Sequence, residues 1–127
     1  MKIGVIGSKN WEDYQTLIRK LTVEIEDWKI ANPDENKIIF VHQGNAGAEN
    51  MVTEFVGKVE DFMRQKKIHI LDKIFRSSSR DQFTKDLELI NSDIDRLIIF
   101  AKEPCARSRN AATIVETVDI PYTYIKG

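Results

Sequence analysis

Four short segments of the chain are rich in glycine or serine, and three of them also carry lysine or arginine, a pairing that suits the capture of an anion. In Gly7-Ser8-Lys9-Asn10, Gly7 lets a backbone approach a ligand, Ser8 offers a hydroxyl and Lys9 a cation. The same residues also suit a tight turn with an Asn or Asp helix cap. The segment His42-Gln43-Gly44-Asn45-Ala46-Gly47-Ala48-Glu49 leaves backbone N–H groups uncrowded where a helix begins, an arrangement that suits phosphate or carboxylate. Close packing of a helix on a sheet explains Gly47 well but Gly44 less well, so an anion site is the favoured reading. No Gly-Lys-Ser/Thr follows, so this is not a P-loop, and the GxGxxG dinucleotide fingerprint belongs after a first strand. Arg76 and Arg80 flank Ser77, Ser78 and Ser79; guanidinium forks pair with phosphate in bidentate fashion, although a solvated loop with Ser79 as helix cap is the plainer reading. Lys102, Arg107, Ser108 and Arg109 combine cations with a hydroxyl a third time.

These segments need elements to hold them. Short apolar runs at 3–6, 37–41, 68–71 and 97–101 lack strict alternation, as strands buried on both faces do, and 122–125 is a more polar edge candidate. Between them the apolar period changes to 3.6. Tyr14, Leu17, Leu21, Ile25 and Trp28 form one stripe in a helix expected over 13–30. A broad stripe runs from Ala48 through Phe55 to Met63, a third joins Phe83, Leu87, Ile90 and Ile94, and a fourth joins Ala111, Ile114, Val115 and Val118 before Pro121. The order β-α-β-α-β-α-β-α-β predicts an α/β fold: one domain over 1–127, a three-layer α-β-α sandwich around a parallel five-stranded sheet. In such a sheet the strand-to-helix loops gather at the carboxyl ends of the strands, so all four segments, three of them cationic, are expected on one rim.

Bulk composition excludes several alternatives. With 127 residues and 42% apolar content the chain builds one core, not a multidomain enzyme. Nineteen Lys and Arg against 20 Asp and Glu leave a net charge of −1, so the basic excess that general nucleic-acid or anionic-membrane binding requires is missing, and positive potential is local to the rim. No apolar run approaches the ~20 residues of a membrane span, and the first residues read as a strand, so a cytoplasmic location is expected. The single Cys105 cannot form an internal disulfide, and no metal site is expected. His42 and His69 have no partner at ligand spacing. Cys105 lies near Lys102 and Arg107 but has no histidine placed to activate it. Trp11, after the first loop, is placed either to stack on a base or to pack internally, while Trp28 belongs to the core stripe.

The order of Ile3-Gly4-Val5-Ile6-Gly7-Ser8-Lys9, then His42 to Glu49, then Asp95-Arg96-Leu97-Ile98-Ile99-Phe100, then Ala106-Arg107-Ser108-Arg109-Asn110 before Ile120-Pro121 resembles the SLOG superfamily, in particular its small YspA-like, DUF2493-type branch. Gly7-Ser8-Lys9 matches the family's Gly-Ser-Arg with Lys for Arg. Gly47-Ala48-Glu49 matches its Gly-Ala-Asp, and Arg80-Asp81 corresponds to its Arg-Asn. Ser108 matches the start of its Ser-x-Gly-Thr, but Arg109-Asn110-Ala111 replaces the glycine and threonine, so a side chain stands where bare backbone would meet phosphate; Arg109 has a guanidinium for that contact.

The resemblance implies a Rossmann-like sheet, expected in the order 3-2-1-4-5, that binds a nucleotide or nucleotide-derived ligand without a further cofactor. Gly7, Ser8, Lys9, Gly44, Asn45, Gly47, Arg76, Arg80, Arg107, Ser108 and Arg109 are the expected binding residues. Some relatives cleave N-glycosidic bonds, so a second reading is a hydrolase or transferase acting on nucleosides or nucleoside monophosphates. Glu49, on the first turn of the second helix, would then be the catalytic carboxylate; a carboxylate there also simply complements the helix dipole. The Pro-Gly-Gly-x-Gly-Thr-x-x-Glu motif of the phosphoribohydrolase relatives is missing. A third reading is a non-catalytic scaffold that works as a homo-oligomer, with the wide stripe of the second helix as its surface.

Overall fold

The structure is a computed structural model that describes residues 1–102 and 105–127. Five strands and four helices alternate along it: β1 (Lys2–Gly7), α1 (Tyr14–Ala31), β2 (Lys37–His42), α2 (Ala48–Gln65), β3 (His69–Ile74), α3 (Gln82–Ile90), β4 (Arg96–Ala101), α4 (Ala106–Val118) and β5 (Tyr122–Lys126). The sheet order is β3-β2-β1-β4-β5 and every pairing is parallel. This is the expected Rossmann-like arrangement, with β1 central and the chain reversing its direction of travel between β1 and β4.

Alternation along the strands divides the core. Ile3 and Val5 of β1, Ile38 and Phe40 of β2, and Ile98 and Phe100 of β4 pack against Leu17, Leu21, Ile25 and Trp28 of α1 and Val52 and Phe55 of α2. On the other face Ile6, Leu97 and Ile99 meet Leu89 and Ile90 of α3 and Ala111 and Val115 of α4. Each such side chain taken from water contributes roughly 1.5–3 kcal/mol. The central strands therefore read as unbroken apolar runs, whereas β3 and β5, each with one neighbour, carry exposed or half-buried residues.

The helix starts show local chemistry. Asp13 caps α1 by accepting from the Thr16 N–H (3.0 Å) and Thr16 Oγ1 (2.6 Å), and these bonds hold its carboxyl below the usual carboxylate range. Asp81, not Ser79, caps α3, accepting from the Thr84 N–H at 2.9 Å and from its hydroxyl, with the same effect on its pKa. The Ser79 hydroxyl instead accepts from the Asp81 N–H, one step before the helix.

Two stripes are placed differently from the sequence reading. In α3 the buried residues are Asp86, Leu89 and Ile90, so the inward face is turned away from Phe83, which is 48% exposed. Along α2 the buried residues end at Val56, and Phe62 is 54% exposed. Among the described residues no helix is long and apolar enough to cross a membrane.

Candidate functional site

The carboxyl ends of the strands bring the β1–α1, β2–α2, β3–α3 and β4–α4 loops to one rim, although Glu103 and Pro104 of the last loop lie outside the described residues. Glycine geometry sets how tightly the first two loops meet. Gly47 has φ +85°, and a Cβ there would sit 2.3 Å from the Ser8 carbonyl oxygen and 2.6 Å from that of Lys9. Only glycine permits both the conformation and the approach. Gly44, at φ +74°, directs its N–H to Nδ1 of His42 at 2.9 Å.

That contact makes His42 Nδ1 an acceptor, so Nε2 carries the proton and faces Asp72 Oδ1 at 2.6 Å. Thr53 Oγ1 lies 3.1 Å from Nε2 and donates to Asp72 Oδ2 at 2.8 Å. His42 is fully buried and thus fixes the turn that follows β2.

The centre of the rim is filled. Arg107, from the first turn of α4, donates from Nε to Asp86 Oδ2 at 3.0 Å and from Nη2 to Asp86 Oδ1 at 2.9 Å, a bidentate pair. Its Nη1 reaches Glu49 Oε2 and the Gly7 carbonyl oxygen, each at 3.0 Å. The Glu49 side chain has 0% exposure, that of Asp86 2% and that of Arg107 15%. Burial alone would lower the guanidinium pKa, but the hydrogen bond to Asp86 and the charges of Glu49 and Asp86 outweigh it and hold Arg107 above its ordinary value.

One guanidinium faces two carboxylates, and neutral donors compensate the excess negative charge. The Gln43 N–H donates to Glu49 Oε1 at 2.7 Å, and Asn45 Nδ2 to Glu49 Oε2 at 3.3 Å. Asp86 Oδ1 accepts from Gln43 Nε2 at 2.7 Å and from Gln82 Nε2 at 2.9 Å, while Gln82 Nε2 also donates to Gln43 Oε1 at 2.7 Å. Four chain segments are thereby locked together.

Beside this plug lies an open cleft of about 260 Å³ between the β2–α2 and β3–α3 loops. Gln43 and Asn45 form one wall, Arg76 and Ser77 another, Ile74 and Phe75 supply apolar surface, and Lys85 reaches in from α3. Among the described residues neither Arg76 nor Lys85 forms an ion pair. A second cleft of about 260 Å³, lined by Trp11, Glu12, Asp13, Lys102 and Gly127, opens on the other side. There Lys102 lies 3.7 Å from Glu12, and Trp11 is only 2% exposed, packed on Phe100 at 5.3 Å between ring centroids. Trp11 is thus a core residue and not a free stacking platform.

Beneath the rim Ser8 is buried, and its Oγ accepts from the Lys102 N–H at 3.0 Å, tying the first loop to the fourth. Ser108, also buried, donates to Cys105 Sγ at 3.0 Å. Burial raises the Cys105 pKa, but hydrogen bonds from Ser108, Ser8 and the Arg107 backbone outweigh that effect and leave the thiol below its ordinary value.

The expected binding residues therefore separate into groups. Asn45 and Arg76 share the first cleft. Gly7, Glu49 and Arg107 belong to the plug, where Asn45 also contributes. Ser8 and Ser108 are internal struts, and Gly44 and Gly47 shape the second loop. Lys9, Arg80 and Arg109 are exposed and line neither cleft. Gln43, Gln82, Lys85 and Asp86 complete the site without having been singled out from the sequence. Their signal was faint: Gln82 and Asp86 are four apart and continue the face of Leu89 and Ile90, a polar extension of a buried stripe. Among the described residues no three His, Cys, Asp or Glu side chains are gathered as a metal site requires. No family model matches this chain, and no curated protein matches it.

Proposed function

We propose that this protein binds a nucleotide-like anion in the cleft between the β2–α2 and β3–α3 loops. The observation that carries the reading is the pairing of Arg76 with Lys85, two cations without carboxylate partners among the described residues, on the walls of one concave site. A guanidinium fork and an ammonium suit phosphate oxygens. The Ser77 hydroxyl and the Asn45 carboxamide supply donors, and Ile74 and Phe75 offer apolar surface for a sugar or base. The resemblance to the SLOG superfamily points to the same class of ligand.

The plug supports a binding role over glycoside cleavage. A carboxylate that attacks or stabilises an anomeric carbon must touch the substrate. Glu49 is fully buried, and its oxygens already accept from Gln43, Asn45 and Arg107. Its position favours holding the second loop in shape.

Titration calorimetry with nucleoside mono-, di- and triphosphates, cyclic nucleotides and ADP-ribose derivatives tests the proposal. Saturable binding is expected with at least one of them, weakened about tenfold or more by Arg76→Ala, consistent with loss of a charge-assisted contact of roughly 1.5–3 kcal/mol. Arg109→Ala, outside the cleft, leaves the affinity unchanged. A flat response to every compound rejects the proposal.

A further inference from the structure

Resting on the binding reading above, we infer that Gln82, which lines no part of the cleft, is a positioning residue: it sets the spacing of the two cleft walls and so selects for ligands that span them. The walls differ in kind. Arg76, Ser77 and Lys85 come from the β3–α3 loop and α3, so both cations of the cleft lie on one side. Gln43 and Asn45, on the loop after β2, make the other side neutral and polar. A bare anion is held by the first wall alone. A nucleotide also carries a neutral sugar and base, which the second wall holds by hydrogen bonds only when it stands at the matching distance.

Three side chains fix that distance. Gln82 opens α3, and Lys85 and Asp86 follow three and four residues on, so Gln82 neighbours both on the helix surface. Its Nε2 donates to Gln43 Oε1 at 2.7 Å and to Asp86 Oδ1 at 2.9 Å, and Gln43 Nε2 donates to the same Asp86 oxygen at 2.7 Å. The β2–α2 loop is thereby bonded directly to the helix that carries Lys85. Donor and acceptor chemistry allows a single arrangement. The Asp86 carboxylate, paired with Arg107, only accepts, so both carboxamides turn their nitrogen towards it. The oxygen of Gln43 is left facing Gln82, whose second N–H meets it.

Gln82 closes this triangle. Without it Gln43 keeps one bond to Asp86 and regains rotation about its side-chain torsions. A wall fixed before binding spares the ligand the cost of ordering it. Loss of Gln82 therefore weakens a ligand that uses both walls and spares one that uses only the cationic wall.

Calorimetric titration of the full chain with nucleoside mono-, di- and triphosphates, and NMR titration with inorganic phosphate, test the inference, with circular dichroism confirming that each variant is folded. The wild type is expected to bind phosphate weakly and at least one nucleotide more tightly. Gln82→Met, similar in length but without an N–H, weakens that nucleotide about fivefold to tenfold and phosphate less than about twofold. Gln82→Asn, which keeps the donors but falls one methylene short of Gln43, gives the same split. A general loosening of the fold would weaken both ligands alike. Equal losses for nucleotide and phosphate, a nucleotide affinity unchanged in either variant, or a wild type that binds nucleotides but not phosphate each overturn the inference while the binding reading stands. A wild type that binds none of the nucleotides rejects that reading, and the inference with it.

Discussion

Removing Arg107 should unlock the rim more than any other single change. Its guanidinium makes four hydrogen bonds, two to Asp86, one to Glu49 and one to the Gly7 carbonyl oxygen, and it is the only cation bonded to either buried carboxylate among the described residues. In Arg107→Ala both carboxylates stay buried with only the amide donors of Gln43, Asn45 and Gln82. Breaking a buried pair from one side costs about 3–5 kcal/mol, a large share of the 5–15 kcal/mol that stabilises a typical domain. The upper end requires Glu49 and Asp86 to remain desolvated; the lower end allows water into the space the side chain leaves. For a chain of this length the loss lowers Tm by roughly 10–20 °C. Urea titration followed by circular dichroism measures it, at an unchanged m-value. The cause is checked by adding Asp86→Asn. That second substitution removes one uncompensated charge, so the double variant should be about 1–2 kcal/mol more stable than Arg107→Ala alone. A single-variant loss under about 1 kcal/mol, or a double variant less stable than the single, would refute the assignment of Arg107 as a buried clamp.

Two glycines give opposite outcomes in the same denaturant assay. Gly47→Ala combines a strained φ with a clash against the Ser8 and Lys9 carbonyl oxygens, and should destabilise by about 2 kcal/mol or more. Gly57→Ala, on an exposed helical position with nothing within 4 Å of the added Cβ, should stabilise by about 0.5–1 kcal/mol. Cys105 should alkylate with a pH midpoint below the ~8.5 of an ordinary thiol, because its lowered pKa maintains the thiolate as pH falls; Ser108→Ala, which removes one of the hydrogen bonds responsible, should move the midpoint up. Iodoacetamide labelling followed by mass spectrometry reads both.

The fold was legible in the sequence because its signals are local. Apolar runs such as 97–101 are too short for helices and too continuous for a half-exposed sheet, and Leu17, Leu21, Ile25 and Trp28 recur at the helical period. Parallel connection and short loops then confine the cationic segments to one rim. The expected rim is present, and Asn45 and Arg76 meet in one cleft on it.

Pairing was not legible, because a charged residue looks the same in sequence whether water or a buried partner faces it. Arg107 reads as one more cation beside Lys102 and Arg109, yet it is consumed internally, while Lys85, in mid-helix, reaches the cleft. Asp86 draws the inward face of α3 away from Phe83, since a bidentate ion pair across 21 residues outweighs the placement of one aromatic ring. Local period and turn chemistry thus determined which elements form and where their loops end. The tertiary structure alone decided which charges neutralise one another and which remain without an ion-pair partner among the described residues, because that depends on distances between segments far apart in the chain.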